Sequence, residues 1–277
     1  MVSVEVVSRS PEEITVILKD VPLEYANALR RASLEEVPTM AIDYVVFYDN
    51  TSALSDEIIA HRLAMIPLTS EKALDRYKPP EVCREEKQVD GCYTSLYLEA
   101  EAGPEEILTV YSDKLKPQED PDVAPIRGDI PIIMLGPGQR VVLEAWARLG
   151  RGREHAKWSP ATVASLTYLA LISVDRDRCT KCGLCSERCP TGAIRMVNGE
   201  LVVREDLCNL CRQCVKVCEP EAISLNWRRD AYRLHIESSG ALSPERILVQ
   251  SVIEIKRKLV EFYENLERVL SEVGGGS

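Results

Sequence analysis

Two cysteine runs constrain this chain more than any other feature. Residues 179 to 194 read CTKCGLCSERCPTGAI, and residues 208 to 223 read CNLCRQCVKVCEPEAI. Each spaces its cysteines as C-x2-C-x2-C-x3-C, the run that wraps a four-iron cluster. Such a cluster takes four thiolates, so eight cysteines in this spacing imply two clusters. Zinc sites usually pair two C-x-x-C elements from separate places instead. Three cysteines in succession at x2 spacing, then one at x3, occurring twice, favour iron–sulfur. Eight of the ten cysteines belong to these runs. In a reducing compartment that density reads as ligation before disulfides.

In two-cluster ferredoxins the fourth cysteine of each run ligates the other cluster. Carried onto this chain, Cys179, Cys182, Cys185 and Cys218 hold one [4Fe-4S] cluster. Cys208, Cys211, Cys214 and Cys189 hold the second. Pro190 follows Cys189 directly, but Glu219 intervenes before Pro220. A [3Fe-4S] cluster is the fallback at the first site if Cys218 does not ligate. From Cys179 to Trp227 six basic and six acidic side chains balance, so the unit lacks the acidic docking face of a diffusing ferredoxin. A cluster also serves as a cross-link where a small segment has little core. Few large apolar residues lie between these cysteines, so ligation is expected to supply the stability. The unit then reads as structural rather than electron-carrying.

The remaining cysteines, Cys83 and Cys92, sit in CREEKQVDGC. Two ligands alone cannot hold a structural zinc. A disulfide across this short loop and a pair of free thiols both remain open.

A chain of 277 residues is long enough for one large domain or two to three smaller ones. The net charge of −10 works against direct binding to nucleic acid, which needs a basic patch to displace counterions. Basic residues cluster only at Arg30-Arg31, at Arg148 to Arg153 with Lys157, and at Arg228-Arg229. No run of eighteen apolar residues exists, and Ala161 to Val174 is too short to span a bilayer, so it reads as a core element. No signal sequence is evident at the N-terminus, and the expected location is the cytoplasm. His61, His155 and His235 are scattered, and no phosphate loop, dinucleotide fingerprint or nucleophile elbow occurs. Catalytic residues are therefore expected to be absent from this chain.

Val2, Val4 and Val6 alternate, as do Ile14, Val16 and Leu18, each pattern fitting a half-buried strand. A helix is expected from about Pro22 to before Pro38, and a strand over Ala41 to Tyr48. Ser55 caps a helix carrying Ile58, Ile59, Leu63 and Ile66. Ser95 to Glu101 alternates as a strand within a mostly β region. Ser243-Pro244 opens the last helix. Along it Leu248, Val252, Ile255, Leu259, Phe262, Leu266 and Val269 recur at spacings of four and three, a heptad seam. A helix of about 28 residues would be roughly 40 Å long, more than a small domain needs, which favours a partner chain covering part of the seam. Gly274 to Ser277 reads as a flexible end.

Four ordered stretches, NALRRASLEEVPTMAID (27–43), DEIIAHRLAMIPL (56–68), HAKWSPA (155–161) and ESSGALSPERI (237–247), resemble the D-subunit family of archaeal RNA polymerases, related to the bacterial α N-terminal domain and the eukaryotic third-largest subunit. The resemblance implies an α+β fold with a dimerisation domain from both chain ends. Its pieces would be residues 1–48, 161–174 and 228–277, with a mostly β insert at 49–160 and a ferredoxin-like insert at 175–227. It further implies an assembly platform that pairs with subunit L, sits beside subunits N and P, and carries the large catalytic subunits. In the eukaryotic relative four cysteines of the middle region hold zinc, whereas only Cys83 and Cys92 remain here. The rival reading is an electron-transfer subunit of an oxidoreductase.

Overall fold

The structure, a computed structural model, describes residues 2–85 and 90–274. Along the chain come β1 (Ser3–Arg9), β2 (Glu13–Lys19), α1 (Leu23–Glu35), β3 (Thr39–Asn50), α2 (Asp56–Ala64), α3 (Ala73–Arg76), α4 (Pro80–Glu85), β4 (Tyr93–Glu101), β5 (Leu108–Tyr111), β6 (Lys116–Pro117), β7 (Pro131–Leu135) and β8 (Arg140–Gly150). Then follow β9 (Ala161–Val174), α5 (Leu184–Glu187), β10 (Ile194–Val197), β11 (Glu200–Val203), α6 (Gln213–Lys216), β12 (Ile223–Ser238) and α7 (Pro244–Gly274). Two compact units result, Met1–Arg30 with Ala164–Ile236, and Arg31–Val163 with Glu237–Ser277.

In the first unit one sheet has the order β1-β2-β12-β9 and a hairpin joins β10 to β11. The two alternating patterns of the opening strands share a face, because Val4 lies across from Leu18 and Val6 from Val16. Val16 and Leu18 are buried, yet Val4 and Val6 are each 58% exposed. Alternation fixes which way a strand's side chains point, not whether anything covers them. Ala161 to Val174 is likewise not a core element throughout. It forms the edge strand β9, with Leu169 and Ala170 buried and Leu171 exposed.

The cluster unit does share a core, contrary to the expectation from its composition. Ala170 and Ile172 of β9 and Ile223 and Leu225 of β12 pack with Ile194, Ala193, Cys185, Cys208 and Cys214. Apolar residues from the ends of β9 and β12 close over the cysteine loops.

The second unit holds the sheet β3-β8-β4-β6 and the pair β5-β7. Its inner face carries Ile42, Leu96, Leu98, Leu143 and Ala145, packed against Ile59 and Leu63 of α2. Ile58 of the same helix is exposed, so only part of the apolar stripe expected there faces inward. Cys83 and Cys92 are joined in a disulfide, and both are buried. Residues 86–89 between them, and the closing Gly275 to Ser277, lie outside the described residues.

Candidate functional site

The two cysteine runs fold alike. Lys181 and Leu210, the residues before the second cysteine of each run, have φ of 55° and 61°. Gly183 and Arg212, just after that cysteine, have φ of 82° and 62°. Left-handed turns at paired positions gather successive N–H groups around one concavity, an arrangement suited to anionic sulfur. Three of those four residues are not glycine, so each sits in a conformation costing about 1–2 kcal/mol for an L-residue. A single helical turn follows, α5 presenting Cys185 and α6 presenting Cys214.

Two separate cavities result. Cys179, Cys182, Cys185 and Cys218 line one, with Leu201 and Ile223 on its walls. Cys189, Cys208, Cys211 and Cys214 line the other, with Ile172 and Leu225. The fourth cysteine of each run thus turns into the cavity of the other run. Glu219 does not displace Cys218: the Ala222 N–H donates to Cys218 Sγ at 3.2 Å, while the Leu210 N–H donates to Cys208 Sγ at 3.4 Å.

Burial pushes the Cys185, Cys208 and Cys214 thiols up from the ordinary value. Burial also acts on Cys189, but the N–H groups of Ile194, Thr191 and Ala193 and the Thr191 hydroxyl outweigh it and lower its pKa. Four soft thiols per cavity, three of the eight buried, with N–H groups aimed at sulfur, form a donor set that fits an iron–sulfur cluster.

The last helix is the second site. Its inward face is Ile247, Ser251 and Glu254, all buried. The heptad seam lies beside that face and is open: Leu248 and Ile255 are half-buried, while Val252, Leu259, Phe262 and Leu266 are exposed, Phe262 to 66%. Val269 and its neighbours Val260, Tyr263 and Leu270 are exposed as well.

Sequence reading missed what anchors that helix. Arg151, only 2% exposed at its side chain, donates to Glu254 of α7 at 2.8 Å, to Glu81 of α4 at 2.8 Å, and to the Glu36 carbonyl. Arg148, also buried, pairs with Asp43 at 2.9 Å and lies 4.4 Å over the Trp158 ring. The basic stretch 148–157 is therefore internal ion pairing, for which carboxylates spaced far along the chain leave no local signal. Among the histidines, His155 caps the turn at Ala156–Trp158 and His235 lies 3.0 Å from the Thr15 hydroxyl.

Comparison with known proteins identifies the frame around these sites. The DNA-directed RNA polymerase subunit Rpo3 of Aeropyrum pernix is 34% identical over 278 residues, covering 96% of both chains. This chain belongs to the Rpo3/Rpb3 family of RNA polymerase subunits. The Rpo3 subunit of Methanosarcina mazei is 36% identical over 96% of this chain and 98% of its own. The RNA polymerase II subunit rpb3 of Dictyostelium discoideum is 33% identical over 93% and 92%. The RNA polymerase Rpb3/RpoA insert domain matches residues 45–175, and the 4Fe-4S binding domain matches 172–195 and 201–224. As a member of the family the chain is a non-catalytic assembly subunit of a DNA-directed RNA polymerase, with other polymerase subunits as partners and iron–sulfur binding in its cysteine unit. No described helix is long and apolar enough to cross a membrane.

Proposed function

We propose that this subunit is the platform on which the polymerase assembles, pairing with the smaller subunit L through the open seam of α7. Leu259, Phe262 and Leu266 are uncovered on their own chain, and that observation carries the reading. A helix whose inward face is already occupied by Ile247, Ser251 and Glu254 has no intrachain use for a second apolar stripe. Subunits N and P and the large catalytic subunits complete the assembly, with the platform built from residues 1–48, 161–174 and 228–277. The two cavities hold two [4Fe-4S] clusters with the crossed ligand sets, serving stability or assembly rather than electron transfer. The expected location is the cytoplasm.

Leu259→Asp tests the pairing, because an unpaired charge in a desolvated helix interface costs several kcal/mol. Loss of subunit L from a pull-down, with the iron content of the variant unchanged, is the expected outcome. Undiminished recovery of L would assign the seam to another role.

A further inference from the structure

The outer face of β3, β8 and β4 carries side chains that the platform reading does not use. A register shift between Ile42 and Tyr44 turns Tyr44 outward opposite Trp146, and Val46 opposite Glu144. On the other flank Tyr97 lies across from Glu144 and Glu99 across from Val142. Tyr44 and Trp146 stack at 5.9 Å with planes 9° apart, and Tyr93 meets Tyr44 edge-on at 5.7 Å. Tyr44, Val46 and Tyr48 are 46%, 39% and 63% exposed. This is an aromatic platform open to the surroundings.

Carboxylates outnumber cations on it. Among the described residues Arg140 alone serves Glu99 at 2.6 Å, Glu101 at 3.9 Å and Asp49 at 4.0 Å. Asp43 is occupied by Arg148 and Lys157. Glu144, at the centre, accepts from the Tyr48 hydroxyl at 3.0 Å, and no lysine or arginine among the described residues is found in ion-pair range of it. Its field reaches the neighbouring rings, where Tyr44 is raised by burial first and then by Glu144, and Tyr48 by its bond to Glu144. A carboxylate among electron-rich ring faces repels phosphate and suits a cation, which gains from the ring quadrupole and the charge together.

We infer that this face docks a basic segment of another polymerase subunit, one arginine or lysine lying against Tyr44 and Trp146 with its charge met by Glu144. The inference rests on membership of the polymerase and is independent of the pairing with L. An arginine fits both contacts at once, its plane on the rings and its edge on the carboxylate.

The test uses assembled polymerase carrying p-benzoylphenylalanine in place of Val46 or, separately, of Tyr48. After irradiation, mass spectrometry should map both crosslinks to one subunit segment containing arginine or lysine. Adding Glu144→Gln to the Val46 enzyme should cut the crosslink yield about tenfold, the scale of one charge-assisted contact, while Glu144→Asp retains most of it. Incorporation of each variant into polymerase shows that it folds. Absence of crosslinks from both positions, a target segment without a basic residue, or a yield indifferent to Glu144→Gln would each overturn the inference. Recovery of subunit L in the same preparations is scored separately, so loss of L would refute the seam reading and leave this one standing or falling on its crosslinks.

Discussion

The insert sheet and the cysteine unit are both built around a small antiparallel framework, yet they are held together differently. In the insert, Leu96, Leu98, Leu143 and Ala145 are fully buried against α2, and side-chain packing closes the core. In the cysteine unit the buried positions include Cys185, Cys208 and Cys214 beside Ala170, Ile172, Ile223 and Leu225. There the strands supply a lid, and on the ligation proposed above the metal supplies the centre. Stability in one region is distributed over many contacts. In the other it is concentrated at a few atoms.

The largest effect should follow from removing one of those atoms. Cys211→Ser takes a thiol from the second cavity, and if the two proposed four-iron clusters are present, iron per anaerobically purified chain should fall from about eight to about four. Iron and sulfide counting checks this, and a colourless wild-type protein carrying zinc would break the comparison at once. Leu98→Ala, at a fully buried site of the insert, should lower stability by about 2–5 kcal/mol. Its iron content should not change. Thermal unfolding followed alongside visible absorbance separates the two readouts.

The smallest effect concerns acid. Burial works to raise the Asp43 pKa, but the Arg148 guanidinium and the Lys157 ammonium hold it below the ordinary value of 3.8. Lys157 is itself lowered by its burial, but it stays charged throughout the acid range, so Asp43 sets the direction. A depressed folded value means the contribution is complete above the unfolded pKa and is lost as pH falls through the folded one. Asp43→Asn should therefore remove about 1 kcal/mol at neutral pH and flatten the acid limb of insert stability. The cluster absorbance over the same titration serves as the internal control.

Much of this contrast was legible in the residues. The cysteine spacing named the eight residues that line the two cavities, and the heptad spacing of Leu248 to Leu266 named a stripe that the fold leaves open. What could not be read was long-range partnership. Few apolar residues lie between the cysteines, and only the pairing of β9 with β12 brings Ile172 and Leu225 over them. Excising residues 177 to 226 would thus also remove Ile223 and Leu225 from a core shared with Ala170 and Ile172, which composition alone did not reveal. Arg151 looked like part of a basic patch, because Glu81 and Glu254 reach it from 70 and 103 residues away. The aromatic face was hidden by the irregular register after Ile42, which inverts the side of β3 that Tyr44 would otherwise occupy.

Hydrogen exchange on the intact chain before and after anaerobic removal of iron by a chelator tests the central contrast most directly. The account predicts that amides of α5, α6, β10 and β11 lose protection while those of β3, β4 and β8 keep theirs. Unchanged protection across the cysteine unit after complete iron loss would contradict it, since packing would then hold that unit without its metal.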